Sequence, residues 1–415
     1  MQPTPASPAS SRLILEREWG RRWRTACVGL VLLGSALGAG CDSDAEPALD
    51  IEGDLPAYLE TARESIGAPA LAAATLRDGD VTWAGAVGQA SLEPAVPATE
   101  ETVFLVASVS KAVTALVVMT LVEDGTVDLD ADISGYLPFD ISVPGPAAGG
   151  APITLRHLLT HTSGIVDTHY DAGGDQLYTY GADTPISLAD VMRGYLEPGG
   201  AYYDASTFSG TTPGTAFAYS NLGLALAGYV AEAAAGVPFE VLSRDRIFAP
   251  LGLTRTAWRL RDLEGATFAV PHDADLKPYG LYTFPDYPNG GLWTSATDLS
   301  RLLRAVVNGG QLGGTQILGE AALDELLRIQ LPSVPGAERQ ALGWHALDPA
   351  DVSSTDSIAF GALMGHDGSE SGVATMMYAN PITGDGFLLF ANVDLGTDEQ
   401  SEAFLEAFRT GVLGF

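Results

Sequence analysis

Ser108-Val109-Ser110-Lys111 sets a hydroxyl three residues before an amine, inside a run of apolar residues. On a helix, positions i and i+3 share a face, so the Lys111 amine can reach the Ser108 hydroxyl. A serine alkoxide does not form at neutral pH without a base. A lysine taken out of water can serve as that base, because burial disfavours its ammonium form. Arginine cannot, since it stays protonated in proteins. A serine at a helix start also sets its own N–H where an oxyanion would form. Lysine is scarce here: of 21 basic residues only Lys111 and Lys277 are lysine. An N-cap serine with a snorkelling lysine is the plainer alternative. It fits poorly in so apolar a helix, where a lysine without a role is costly.

Two further clusters carry useful groups. Tyr219-Ser220-Asn221 follows Pro213-Gly214 and opens the helical run Leu222 to Ala235. Tyr219 offers a phenol that can shuttle a proton, and Asn221 a donor and an acceptor for a substrate amide or carbonyl. Taken alone, Ser220 or Asn221 is simply a helix cap. His366-Asp367-Gly368 precedes the strand-like run Gly372 to Ala379, and alone reads as a loop histidine beside a turn. A glycine next to a reactive serine lets a backbone N–H approach the reacting carbonyl. Gly368 would do this, with the N–H of Ser369 completing an oxyanion hole.

The elements that must position these residues fall into two kinds. Leu55 to Ile66 has helical spacing, and Pro69–Leu76 and Val81–Gln89 read as a hairpin across Asp78-Gly79. At the other end, Gly372–Ala379 and Phe387–Val393 form a second pair, followed by a helix from about Asp398 to Val412. Strands and helices at both ends predict one antiparallel sheet built from the two chain ends, an α/β (α+β) layer. In the middle, Ala107 to Asp124 is apolar almost all round, which marks a buried helix. Helical patterns recur at Leu155–Leu159, Leu188–Leu196, Leu222–Ala235, Phe239–Ile247 and Asp298–Val307, around a loop-rich, tyrosine-rich stretch from Val166 to Thr212.

Ser-x-x-Lys, Tyr-x-Asn and His-x-Gly, in that order, resemble the serine β-lactamase and penicillin-binding protein superfamily. The closest likeness is to the branch with class C β-lactamases, DD-carboxypeptidases, D-aminopeptidases and related esterases. Ile153-Thr154-Leu155-Arg156-His157-Leu158-Leu159-Thr160-His161-Thr162-Ser163-Gly164, Pro250-Leu251-Gly252-Leu253 and Gly290-Gly291-Leu292 also resemble it. The likeness spans about residues 54–412. It implies a β-lactamase/transpeptidase-like fold, with the α/β part near 54–106 and 290–412 and a helical insertion near 107–289. It also implies roles. Ser108 is the acylated nucleophile, and Lys111 and Tyr219 share proton transfer. Asn221 and His366 contact substrate, Gly368 lets the strand approach, and the N–H groups of Ser108 and Ser369 form the oxyanion hole. No cofactor and no metal is implied.

His366 stands where class C β-lactamases carry a lysine, and Asp367 where relatives that bind carboxylates usually carry threonine. Histidine is a weaker fixed charge near neutral pH, and Asp367 would repel a substrate carboxylate. The expected activity is therefore a serine hydrolase acting on esters or amides. The alternatives are a DD-carboxypeptidase or class C-type β-lactamase, and a non-catalytic penicillin-recognising envelope protein. Two metal-like patterns fail on inspection. Asp128-Leu129-Asp130-Ala131-Asp132 lacks the glycine and terminal glutamate of a calcium loop. His157 and His161 have Leu158 where a zinc-protease motif needs glutamate, and the family resemblance implies that both are structural residues.

The chain has 415 residues, 46% of them apolar, enough for a large core. Its 52 acidic against 21 basic residues, a net charge of −31, argue against a nucleic-acid partner. A small-molecule or peptide substrate is the expected partner. Arg21, Arg22 and Arg24 precede an uncharged stretch, Ala26 to Ala39. This is shorter than the roughly twenty residues of a membrane span and suits a signal-peptide core. It ends in Leu37-Gly38-Ala39-Gly40-Cys41, which resembles a bacterial lipoprotein cleavage site. Residues 1–40 are read as signal and 41–53 as linker. The product is expected to be an exported lipoprotein of the bacterial cell envelope, held to the membrane only by lipid on Cys41. Cys27 would leave with the signal, so the folded body has no cysteine for a disulfide.

Overall fold

The structure, a computed structural model, describes residues 51–141, 152–352 and 361–414. The signal peptide expected at 1–40, Cys41 and residues up to 50 lie outside them. Helix α1 (Ile51–Ile66) leads into the hairpin of β1 (Ala70–Arg77) and β2 (Asp80–Leu92), extended by β3 (Ala95–Pro97). Asp78 and Gly79 both take positive φ, 48° and 80°, as the tight turn between right-twisted strands requires. The C-terminal part supplies β4 (His345–Ala346), β5 (Met364–Glu370), β6 (Val373–Ala379) and β7 (Gly386–Ala391). The seven strands form one sheet in the order β4-β5-β6-β7-β1-β2-β3. Each neighbouring pair is antiparallel, and β7 joins β1 from Leu71↔Ala391 to Leu76↔Gly386. The fold class read from the sequence is the one observed.

Every residue of β6 and β7 is buried because the sheet is covered on both faces. Side chains of a strand alternate between faces, so each strand contributes to two cores. On one face Leu71, Ala73, Met376, Tyr378, Phe387 and Leu389 pack with Leu59 of α1 and with Phe404 and Phe408. The last two belong to the C-terminal helix. On the other face Ala72, Ala74, Met377, Leu388 and Phe390 join the larger core. That core is built around α2 (Ser110–Glu123), α3 (Asn221–Ala235) and α4 (Ala296–Val307), and the chain closes with α5 (Asp398–Leu413). Ser110 to Leu121 of α2 are all buried. A helix with no polar face can only be central.

Three expectations need correction. The helix expected from Ala107 is instead a 3-10 turn, Ala107–Val109, with the α-helix starting at Ser110. The reason is Ala107, whose φ of +47° is left-handed and cannot begin an α-helix. The helix expected over Phe239–Ile247 ends at Ser243 and gives way to a π-helical turn, Arg244–Phe248. His366-Asp367-Gly368 lies inside β5, not in a loop before a strand. Polar residues and glycine hid this strand, and only its pairing with β6 reveals it.

The ring of Phe408 is fully buried, 5.8 Å from both Tyr378 and Phe387 on the sheet. Phe408→Ala should lower stability by about 3–5 kcal/mol through lost burial and a residual cavity. Chemical denaturation measures this; a change below about 1 kcal/mol would mean that α5 is not part of the cooperative core.

Candidate active site

Ser108 sits on the 3-10 turn that precedes α2, and Lys111 on the first turn of that helix. Lys111 is fully buried. Its Nζ lies 2.8 Å from Ser108 Oγ and donates to the main-chain carbonyl of Asn289 at 2.7 Å. It also stands over the ring of Tyr219, 4.9 Å from the centroid. Asn289 is itself fixed, its side-chain amide donating to the carboxylate and carbonyl oxygens of Asp286. Tyr170, from the tyrosine-rich stretch, donates to the same carboxylate at 2.6 Å. Neither Asp286 nor Asn289 was singled out in the sequence; the adjoining Gly290-Gly291 was the available signal.

Tyr219 precedes α3 and remains 39% exposed. Its ring lies 4.4 Å from that of His161, tilted by 31°. His161, set aside above as structural, is therefore part of the site's wall. Its Nδ1 accepts the Ser220 N–H at 3.1 Å. Burial first, then the charge of Lys111 and the other histidines, keeps this imidazole far below its ordinary pKa, and hence neutral. His157 instead closes a capping box with Thr154. Asp130, of the calcium-like pattern, pairs with Arg156.

Asp167 anchors the start of α3. Its buried carboxylate accepts the Ser220 hydroxyl at 2.7 Å and the N–H groups of Asn221 and Leu222. Ser220 in turn caps the helix through the N–H of Gly223 at 2.8 Å. This clamp holds Tyr219-Ser220-Asn221 against the Ser108 turn. It was not foreseen, because Asp167 lies in a stretch without a readable motif.

On the opposite side, β5 brings its glycine against the turn. A Cβ at Gly368 would lie 2.8 Å from both Ser108 N and Val106 O, so no other residue fits without displacing one of them. Thr375 on β6 donates to the Val106 carbonyl at 2.9 Å, fixing the backbone just before the serine. Alternation along β5 puts His366 on the Gly368 face, with its ring 6.3 Å from Tyr219. Asp367 points to the other face. There it accepts from Tyr378 Oη at 3.1 Å and lies 3.4 Å from His345 Nε2. This corrects the expectation that Asp367 would repel a substrate carboxylate, because the side chain is engaged away from the serine. Burial pushes the Asp367 carboxyl up, but the hydrogen bond and charge of His345 outweigh it and hold the group ionised. Burial, reinforced by His345 and Lys111, pushes His366 well down. The structure thus brings Ser108, Lys111, Tyr219, His366 and Gly368 to one place, with Asn221 and Ser369 on the same two segments as Tyr219 and Gly368.

A buried amine beside a half-buried hydroxyl, facing a phenol, with a strand backbone against the serine N–H, defines a protein of the β-lactamase/transpeptidase-like fold. Residues 55–410 match the family model described as Beta-lactamase, and the chain belongs to that family. Esterase EstB of Burkholderia gladioli is 31% identical over 342 residues, covering 73% of this chain and 82% of the esterase. Penicillin-binding protein 4 of Amycolatopsis lactamdurans is 28% identical over 351 residues, covering 81% and 84%. The octameric penicillin-binding protein homologue from Pyrococcus abyssi has a similar fold. Its TM-score is 0.66 at 23% identity, over 86% of this chain and 76% of that one. The family and the esterase relative together support a hydrolase.

Burial raises the Asp167 carboxyl to about 6, against the pull of its three donors. An unfolded aspartate titrates near 3.9, so between about pH 4 and pH 6 the native state holds the extra proton. Stability from this group is thus fully present below about pH 4 and is lost as pH rises through about 6, by up to about 3 kcal/mol. Asp167→Asn cannot titrate. The gap in melting temperature between wild type and variant should shrink in favour of the variant from pH 4 to pH 6.5; a constant gap would contradict the assignment.

Proposed function

We propose that the protein is a serine hydrolase that forms an acyl-enzyme on Ser108, acting on ester or amide substrates. The observation that carries this is the fully buried Lys111 amine held 2.8 Å from Ser108 Oγ. With its second bond to Asn289 fixed, the amine is oriented before substrate arrives. Ser108 Oγ attacks the substrate carbonyl carbon while its proton passes to the Lys111–Tyr219 pair. The same pair returns the proton to the leaving alcohol or amine as the tetrahedral intermediate collapses. Water then attacks the acyl carbon, with Tyr219 assisting its deprotonation, and frees Ser108. The oxyanion faces the N–H groups of Ser108 and Ser369, an arrangement supported by the close approach of Gly368 to Ser108 N. Asn221 orients the substrate.

Esters are favoured over carboxylate-bearing β-lactams because His366 supplies an imidazole in place of a fixed ammonium. Similarity to esterase EstB adds to this reading, while similarity to a penicillin-binding protein keeps peptidyl substrates in view. A panel of p-nitrophenyl acetate and butyrate, a D-amino-acid amide and nitrocefin should show the ester cleaved fastest; faster nitrocefin hydrolysis would overturn that preference. A fluorophosphonate probe should label wild type and fail on Ser108→Ala. Lys111→Arg should lose at least about a thousandfold in kcat/KM, since arginine cannot take the proton. No labelling of wild type would favour a non-catalytic penicillin-recognising protein.

We also propose export to the bacterial cell envelope with lipid on Cys41, on the strength of residues 21–44. Cys41→Ser should move the protein from the membrane fraction to the soluble one, and an unchanged distribution would rule the anchor out.

A further inference from the structure

Among the described residues, one group of side chains gathers metal-ligating atoms: His345, His366 and Asp367, with one such atom from each lying within 4.8 Å of the others. His345 comes from β4 and the other two from β5, where His345 pairs with Gly365. The two imidazole rings are 4.9 Å apart at 72°. We propose that these three side chains form a binding site for one divalent transition-metal ion of the zinc class, at the edge of the active site.

The donor set is two imidazoles and a carboxylate, which suits Zn²⁺ and its first-row neighbours and leaves further positions for water. One ionised carboxylate offsets part of the ion's charge, and a chain of net charge −31 attracts cations at long range. The surrounding bonds are those that a metal site needs. A main-chain carbonyl can only accept, so the contact of His366 Nδ1 with the Asp367 carbonyl puts the proton on Nδ1. The lone pair is then left on Nε2. Tyr378 Oη donates to Asp367 Oδ1 at 3.1 Å, which orients the carboxylate.

Donors around a tetrahedral ion with bonds near 2.1 Å stand about 3.4 Å apart. His345 Nε2 and Asp367 Oδ1 are already 3.4 Å apart. The spacings to His366 are no wider than 4.8 Å, so each must close by at most about 1.4 Å. The site is open to solvent, since the side chains of His345 and Asp367 are 19% and 38% exposed. Without an ion the same groups form a hydrogen-bond cluster, in which Tyr378 Oη also contacts His345 Nε2 at 2.7 Å.

The test uses untagged protein from which metals have been stripped with a chelator. Titration calorimetry with Zn²⁺ at pH 7 should give one ion per chain, with a dissociation constant in the micromolar range or tighter. His345→Gln and Asp367→Asn should each weaken binding at least tenfold, with fluorophosphonate labelling of Ser108 reporting that the variants are folded. On wild type alone, Zn²⁺ should protect the part-exposed His345 from diethylpyrocarbonate, as read by peptide mass spectrometry, while His169 stays modified. Absence of saturable binding, variants that bind like wild type, or an unprotected His345 would overturn the site and leave only the hydrogen-bond cluster.

Discussion

A lysine amine with no exposed surface is the constraint around which the site is built. Burying it is unfavourable unless its hydrogen bonds are met, and they are met from distant parts of the chain. The serine turn supplies Ser108, the segment before β-pair residues Trp293–Thr294 supplies the Asn289 carbonyl, and the start of α3 supplies the ring of Tyr219. None of these can shift without leaving the amine underbonded. The burial of α2 on every side follows from the same requirement, because a helix with one solvated face could not hide its first turn so completely.

The serine turn has a second constraint, from its backbone. Ala107 occupies left-handed φ space that costs a non-glycine residue about 1–3 kcal/mol. The surroundings hold it there: Val106 N donates to the Leu292 carbonyl, and Thr375 donates to the Val106 carbonyl. Strain at this point turns the Ser108 N–H toward β5, where Gly368 leaves space for it. The sheet thus serves as a rigid wall for the reaction as well as the bulk of the fold. Its two cores, one under α1 and α5 and one around α2, keep that wall from yielding.

Much of this was legible in the sequence, for physical reasons. The apolar runs at both chain ends announced strands buried on two faces, and the run Ala112 to Leu121, apolar but for two threonines, announced a central helix. Ser108, Lys111, Tyr219 and Gly368 stood out because few residue types can do their chemistry. What stayed hidden depends on contacts across the fold. β5 reads as polar because it carries His366, Asp367 and Ser369, and no local pattern predicts that Asp367 turns to Tyr378. Asp167 acts through Ser220, 53 positions away, Asp286 through Tyr170, 116 away, and His345 through Tyr378, 33 away, distances at which spacing carries no information. His161 was visible as a residue but not as a neighbour of Tyr219.

The scarcity of lysine has a practical side. Of the two lysines in the chain, Lys111 is sealed in the core and Lys277 lies on an exposed loop. Amine-directed acylating reagents will therefore find a single lysine side chain on the outside. Coupling to a dye, a bead or an electrode through that side chain fixes the protein at a known loop, with the amine inside the pocket left untouched.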